Sequence, residues 1–470
     1  MSKLAVFVAF AFSVVCACRA AAVEVTVYNQ NLGLVKETRT FDLHRGVNDV
    51  RADDVAALID PTSVHFKSLS APNAVGVLEQ NFEYDLVSPE KLLEKYVGKP
   101  IALERFSALD GKRSVLKGIL LSTQNGRVLR GDDGKIYVNP PGNPVLAELP
   151  EGLESKPTLL WKLQAEKGGK QACEISYLTQ GLSWSADYVL VVGPKDRAMD
   201  LNAWVTLNNA SGAAYKNASL KLVAGDVHRA VRPSLHVMRA FGASESQASQ
   251  FSQKAFFEYH LYTLKRPTTL RDDETKQIQF AEASDVPVRK VYTYMGSALE
   301  WGGYSEYSRT NADYGVGENK KVWVDLEFVN SARNHLGIPL PAGRARVYKA
   351  DSDGSLQFIG EDSIDHTPKD ERVKIRMGDA FDIVASRKRS NFVLDTHRRR
   401  AEESFEISLG NHKDEDIVVE VVEPLYRWSS WSIARASQKW SKLDARTIRF
   451  DVPVKAGGAA AVSYTVRYAW

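Results

Sequence analysis

The densest group of side chains that could do chemistry lies late in the chain. Four such residues fall within one short segment, Glu361, Asp362, Asp365 and His366. A histidine beside carboxylates can serve acid–base catalysis or hold a metal ion. No His-Glu-x-x-His helix, Gly-x-Ser-x-Gly turn or glycine-rich phosphate loop accompanies it. A polar loop between strands, ended by Pro368, explains the same residues. The sequence favours that loop and predicts no catalytic residue, metal or cofactor.

Aromatic side chains form a second candidate site. The segment that carries them is rich in glycine and almost free of aliphatic residues, and its aromatic members are Tyr292, Tyr294, Trp301, Tyr304, Tyr307 and Tyr314. Exposed rings can stack on sugar faces, and amphipathic rings suit interfaces. A loop that folds its rings over the edge of a sheet would use the same residues. The sequence leaves both interpretations open.

One dense basic stretch is a third candidate. Its cations are Arg387, Lys388, Arg389, Arg398, Arg399 and Arg400. Such a cluster can bind anionic polysaccharide, lipid headgroups or nucleic acid. Only Phe392 interleaves with these cations, which argues against nucleic acid. A solvated hairpin end is the favoured interpretation.

The elements that must position these groups are short strands. Between residues 372 and 377, Val373, Ile375 and Met377 alternate strictly with arginine and lysine. A period of two with one charged face is typical of a strand with one side on a core and the other in water. Residues 344–349 alternate as well, and the turn at 351–354 connects them to the next strand.

The same pattern recurs along the chain and predicts an all-β protein, with antiparallel immunoglobulin-like β-sandwiches and an inserted small SH3-like barrel. Ser88 and Pro89 predict the start of one short helix just before the barrel. We predict five segments: a signal peptide (1–22), an amino-terminal β-module (23–85), a small β-barrel (86–156), a β-sandwich (157–330) and an immunoglobulin-like β-sandwich (331–470).

Composition and the amino terminus point to export. The 470 residues carry 61 basic and 58 acidic side chains, a formal charge of +3, so no strong field directs the chain to nucleic acid. Lys3, an apolar run over 4–15 and alanines at 20–22 are typical of a secretory signal peptide. We expect a periplasmic or secreted protein that is not an integral membrane protein. Lipid attachment at Cys18 is the minority alternative. Cleavage would leave Cys173 as the sole cysteine, which excludes an intrachain disulfide.

Several short sequence segments resemble those of a known family. They lie at residues 177–188, 207–209, 260–270, 328–330, 340–343 and 358–362. Together they resemble a secreted bacterial domain-of-unknown-function family that includes the mucoidy-inhibitor-A-like proteins. The resemblance implies a fold and an exported location, and it supplies no catalytic residues. Members often place a coiled-coil arm between their two modules, where this chain has the predicted barrel.

These observations predict an exported, non-enzymatic protein of the cell envelope. It would bind a polysaccharide or protein partner through loops on a β scaffold. One alternative is an envelope polysaccharide hydrolase with unidentified carboxylates, which would need two of them about 5 to 9 Å apart in a cleft. A structural adhesion component is another. The oligomeric state is left open.

Overall fold

The computed structural model describes residues 23–85, 87–106, 113–150, 153–154, 156–225, 251–256, 259–299, 303–351 and 353–470, and for 251–256 it describes the backbone only. The predicted signal peptide at residues 1–22 lies outside the described residues, as do Cys18 and Trp301.

Short strands make up most of the described chain. Up to residue 165 they are β1 (Val23–Tyr28), β2 (Leu32–Leu43), β3 (Gly46–Ala52), β4 (His65–Ser68), β5 (Val75–Glu83), β6 (Pro100–Phe106), β7 (Arg113–Ser122), β8 (Val128–Gly131), β9 (Ile136–Val138), β10 (Asn143–Val145) and β11 (Thr158–Ala165). From residue 169 to 294 they are β12 (Gly169–Thr179), β13 (Leu182–Val192), β14 (Ala198–Asn209), β15 (Tyr215–Ala224), β16 (Phe251–Phe256), β17 (Tyr259–Leu264), β18 (Thr268–Leu270), β19 (Glu274–Pro287) and β20 (Arg289–Tyr294).

The remaining strands are β21 (Val322–Val329), β22 (Gly343–Ala350), β23 (Leu356–Ile364), β24 (Arg372–Asp379), β25 (Ile383–Asp395), β26 (Arg400–Asn411), β27 (Ile417–Pro424), β28 (Trp431–Ala436), β29 (Ser441–Lys442), β30 (Thr447–Val454) and β31 (Ala459–Ala469). Helices are short: α1 (Pro89–Lys95), α2 (Glu306–Thr310) and two 3-10 turns (Pro61–Ser63 and Ala332–Asn334). The all-β prediction is confirmed.

The chain forms two compact units, and the first contains the residues up to Trp184 together with Leu207–Leu222 and Arg266–Lys276. In this unit β1, β2, β12 and β4 pair in that order, and β11 lies between β3 and β5. The ring of Trp161 on β11 packs 5.3 Å from that of Phe66 on β4. The two sheets therefore share an aromatic contact.

A small five-stranded sheet is inserted between β5 and β11. Its order is β10-β6-β7-β8-β9, so β9 and β10 lie at opposite edges. Closure into a barrel needs the edge strands to pair, and the sheet stays open; the SH3-like barrel is not confirmed. The helix prediction is confirmed, because Ser88 Oγ accepts a hydrogen bond from the Lys91 amide at 3.2 Å.

The second unit comprises Ser185–Thr206, Val223–Lys265 and Gln277–Trp470. Its sheets have the orders β19-β14-β13-β22-β23, β24-β21-β20-β27-β30-β29 and β25-β26-β31-β28. Within the described part of the chain, β13 runs parallel to β22, and β20 runs parallel to β27. The prediction of antiparallel sheets is wrong for these two pairs, since alternation along one strand carries no information about the direction of its neighbour.

Two of these sheets enclose the main core of the second unit. Buried side chains from β20, β21, β27 and β30 pack against buried side chains from β25, β26 and β31. Phe450 and Tyr464, one from each sheet, lie 5.7 Å apart between ring centroids. This packing is β-sandwich-like, and the six-stranded sheet turns its other face away from the core.

Burial makes the Cys173 thiol unreactive in the folded chain. The residue is 0% exposed, and burial raises the pKa of its thiol to about 11. A thiol pKa about two units above its usual value lowers the reactive thiolate fraction about 100-fold at pH 8. We therefore expect at least that slowing of Cys173 labelling by a maleimide, relative to the chain in denaturant. A Cys173→Ser variant identifies the signal, and fast native labelling that this variant abolishes would contradict the burial.

Candidate functional site

The outer face of the six-stranded sheet brings charged residues from five strands together. Strand register places Glu327 opposite both Arg289 and Lys374, and Asp325 opposite Arg376. Glu420 aligns with Asp451 on the next strand. We call this surface the charged face. Its members are Arg289, Asp325, Glu327, Arg372, Lys374, Arg376, Glu420, Arg449 and Asp451.

Cations and carboxylates alternate across the charged face. Glu327 Oε2 lies 2.6 Å from Arg289 Nη2 and 3.1 Å from Arg372 Nη1. The same Arg289 nitrogen lies 3.4 Å from Glu420 Oε1, and Glu420 Oε2 lies 3.7 Å from Arg449 Nη1. The hydrogen bond to Glu327 raises the pKa of the Arg289 guanidinium. The ion pairs thus hold each other in fixed positions across five strands.

A second cluster extends the charged face toward Trp323. Asp325, 0% exposed, lies 3.0 Å from Lys374 Nζ and 3.2 Å from Arg376 Nε. Thr293 Oγ1 donates a hydrogen bond to Asp325 at 2.8 Å. The Arg376 guanidinium lies 4.8 Å from the centre of the Trp323 ring. An aromatic ring with a cation over it therefore ends this part of the face.

The first of these clusters lines an open groove of about 820 Å³. The groove is bordered by Pro287, Val288, Arg289, Glu327, Phe328, Val329, Arg333, Asn334, Arg372, Val418, Glu420, Arg449 and Asp451. Its volume is in the range of ligand sites, and its convergent polar groups could fix the orientation of a ligand. We take the groove as the candidate site.

The predicted aromatic site divides into buried and surface members. Tyr292 and Tyr294 are 5% and 0% exposed and belong to the main core, because they occupy the inward-facing positions of β20. Neither ring is available for stacking on a ligand. Tyr304 packs against Trp428 and Tyr314 against Tyr426, whereas Tyr307 is exposed. Of the five described rings, two therefore belong to the core, two pack against other aromatic rings and one is exposed.

Residues 303–316, which we call the strap, are held down by arginines. Arg427 donates hydrogen bonds to the carbonyls of Ser308 and Asn311 at 2.9 Å each, and to the carbonyl of Tyr314 at 3.1 Å. Arg387 donates to Gly315 O at 3.1 Å, and Arg389 to Ala312 O. A cation that satisfies several carbonyls in this way has a structural role.

The predicted basic patch is therefore not one surface. Arg387 is buried and pairs with Glu423. Arg427, which is not part of the predicted patch, is buried in the same way and pairs with Glu403. Burial opposes the charge on Arg387, but the attraction of Glu423 outweighs it, so the pKa of the guanidinium is raised. Lys388 points outward on the same strand. The exposed cations that remain together are Arg398, Arg399 and Arg400, at the turn between β25 and β26.

The predicted polar cluster makes local structural contacts. Glu361 and Asp362 belong to β23 and not to a loop, because that strand continues to Ile364. Asp362 accepts a hydrogen bond from the Arg376 amide at 2.8 Å, and Glu361 lies 3.4 Å from Arg346.

The other two members of the cluster follow the end of that strand. His366 Nδ1 accepts a hydrogen bond from the Ala342 amide at 3.0 Å. Asp365 accepts one from the Thr367 hydroxyl through its backbone carbonyl. Among the described residues, no three His, Cys, Asp or Glu side chains are grouped so that they could hold a metal ion.

Sequence reasoning missed the charged face although part of its signal was visible. Alternation predicts that Arg372, Lys374 and Arg376 form a face in water, and the alternate positions of β21 carry Trp323, Asp325 and Glu327. The clue available in the sequence was one segment with basic side chains at alternate positions and another with acidic side chains at alternate positions. If the two strands paired, their charged sides would meet. Within the part of the chain that the structure describes, no helix has the length and apolar character of a membrane span.

The fold and site define an all-β protein with a charged groove on a sandwich sheet. A family profile described as "Domain of unknown function (DUF4139)" matches residues 173–470. Because the match covers more than half of the chain, the protein belongs to this family. No curated protein matches the chain.

Proposed function

We propose that this protein is an exported, non-enzymatic component of the bacterial cell envelope that binds a polysaccharide in the groove. The proposal rests on the groove, because its side chains offer convergent hydrogen-bond donors and acceptors on a rigid sheet. Sugar hydroxyls need both kinds of partner, and ion-paired side chains lose little further freedom when a ligand binds. A protein partner is the other ligand class that the same surface could serve.

A hydrolase is the second candidate, and the groove bears on it directly. Glu327 and Glu420 lie on either side of one Arg289 nitrogen, so two carboxylates approach each other in a cleft. A glycosidase needs one carboxyl free to deliver a proton to the leaving group. Here both carboxylates are engaged by guanidinium groups. The arrangement therefore favours binding over hydrolysis. A structural adhesion component would use the same surface without turnover.

The remaining parts of the proposal come from the sequence. They are export by the predicted signal peptide, kinship with the mucoidy-inhibitor-A-like proteins, and an immunoglobulin-like topology for the sandwich. The shared core of the two sheets in the second unit supports that topology. The exposed turn at Arg398, Arg399 and Arg400 is the competing ligand surface.

Filling the groove tests the proposal. Val418 lines the groove and is 52% exposed, so a Val418→Trp substitution places a large ring there at little cost in stability. We expect at least about a 10-fold loss of affinity for envelope polysaccharide immobilised on a biosensor, since the ring occupies the ligand volume.

The matched control is Val393→Trp, which changes another strand valine of 52% exposure outside the groove. Its affinity should equal that of the unchanged protein. Full binding by Val418→Trp, together with loss in an Arg398→Gln/Arg399→Gln variant, would move the site to the basic turn and refute the groove.

A further inference from the structure

We infer that the groove recognises the carboxylate groups of an acidic polysaccharide, with Arg289 and Arg372 as the anion-binding residues. The inference rests on the proposed function and specifies its ligand. Side-chain exposure is the first observation. Arg289 and Arg372 are 58% and 62% exposed, whereas Glu327 and Glu420 are 9% and 10% exposed. At the end of the groove formed by these four residues, a ligand therefore meets guanidinium groups above buried carboxylates; at the other end Asp451 is 54% exposed and already paired with Arg449 at 2.9 Å.

The arginines retain donors after their ion pairs are made. A guanidinium carries five N–H groups. Arg289 contacts both glutamates through Nη2, and Arg372 contacts Glu327 through Nη1. Within the described residues, the other nitrogens of these two side chains make no hydrogen bond. Arg333 on the rim has no carboxylate partner among the same residues. The groove thus has unused donors and one unpaired cation.

Charge and residue type indicate the same ligand. Among the described residues, four arginines and three carboxylates line the groove. An added anion therefore brings the net charge of the lining closer to neutral, while a cation would compete for carboxylates already paired. Every lining cation is an arginine. The planar fork of arginine matches a planar carboxylate through two parallel hydrogen bonds, which a lysine cannot reproduce. An acidic sugar supplies that group together with hydroxyls for the remaining polar atoms.

Paired polymers test the inference. The probe is polygalacturonate, and its comparison is the same polymer after its carboxyl groups have been reduced to alcohols. We expect polygalacturonate to bind the full-length protein at least about 10-fold more tightly at low salt, with the difference shrinking as salt increases. Dextran phosphate tests whether the groove binds phosphate groups instead of carboxylates. We expect it to bind more weakly than polygalacturonate.

An arginine-to-lysine change separates geometry from charge. Arg372→Lys keeps the charge at an exposed position and is expected to weaken polygalacturonate binding about 3- to 10-fold. Arg344→Lys is the control, because Arg344 is 52% exposed on a different sheet and outside the groove. The affinity of the Arg344→Lys variant for polygalacturonate should be unchanged. Equal losses in both variants would contradict a specific role for Arg372, and unchanged thermal unfolding in both confirms that binding alone is compared.

The outcomes distinguish this inference from the proposed function. If both polymers bind equally and Val418→Trp blocks both, the carboxylate assignment fails while the groove remains the site. If Val418→Trp affects neither polymer, the proposed function fails as well. Tighter binding of dextran phosphate than of polygalacturonate would assign the groove to phosphate and overturn the carboxylate inference.

Discussion

Replacing Glu403 with leucine is expected to lower the free energy of unfolding by about 3–5 kcal/mol. The Glu403 side chain is fully buried, accepts a hydrogen bond from Arg427 at 2.8 Å and lies 3.4 Å from Arg389. Its removal leaves the Arg427 charge buried without a carboxylate, and that uncompensated charge accounts for most of the cost. Chemical denaturation followed by far-ultraviolet circular dichroism measures the change.

The neighbouring residue supplies the control. Glu402 lies on the opposite side of the same strand and pairs with Arg467 at 2.7 Å near the surface. Because exposed ion pairs contribute little, Glu402→Leu should cost no more than about 1 kcal/mol. Adding Arg427→Met to Glu403→Leu should recover part of the loss, and recovery is incomplete because Arg427 also holds the strap. Equal losses for Glu402→Leu and Glu403→Leu would contradict the buried ion pair as the cause.

Replacing Trp161 with alanine should destabilise the first unit by about 3–5 kcal/mol. The side chain is 1% exposed, packs against Phe66, and donates a hydrogen bond from Nε1 to Gln80 Oε1 at 2.9 Å. Alanine removes the whole ring and leaves a cavity between the sheets. The two units can unfold in separate transitions, so calorimetry should show a lower midpoint for the transition of the first unit.

A conservative change at the same position separates packing from the hydrogen bond. Trp161→Phe keeps an aromatic ring near Phe66 and loses the donor to Gln80. It should therefore cost clearly less than the alanine variant, since one hydrogen bond contributes about 1 kcal/mol. An equal loss for both variants, or a shift of every transition together, would show that ring packing in the first unit is not the cause.

Alternation and turn chemistry identified individual elements correctly. Val373, Ile375 and their charged neighbours predicted a strand, and β24 spans them. Ser88 predicted the start of α1, and its side chain makes the expected cap. These features depend on a few consecutive residues, because side-chain period and capping are local properties of the backbone.

The residues of the predicted sites do not stay together where neighbouring residues of a strand point to opposite sides. Arg387, Lys388 and Arg389 are consecutive in the sequence, yet the strand turns Lys388 outward and places Arg387 beside Glu423. For Tyr292 and Tyr294 the sequence leaves a stacking site and a structural role equally open, and the structure places both rings in the core. A charge or ring count along the chain cannot decide which side a strand turns toward the core.

By itself, the sequence determined that this protein is built from strands, where many of them begin and end, and which family it resembles. Tertiary structure alone decided that Arg372 on β24 and Arg289 on β20 meet Glu327 on β21, and that Glu420 completes the groove. The physical reason is the separation, along the chain, of the residues that determine each feature. Periodicity arises within a strand, whereas register, direction and sheet closure depend on pairing between residues far apart in the chain.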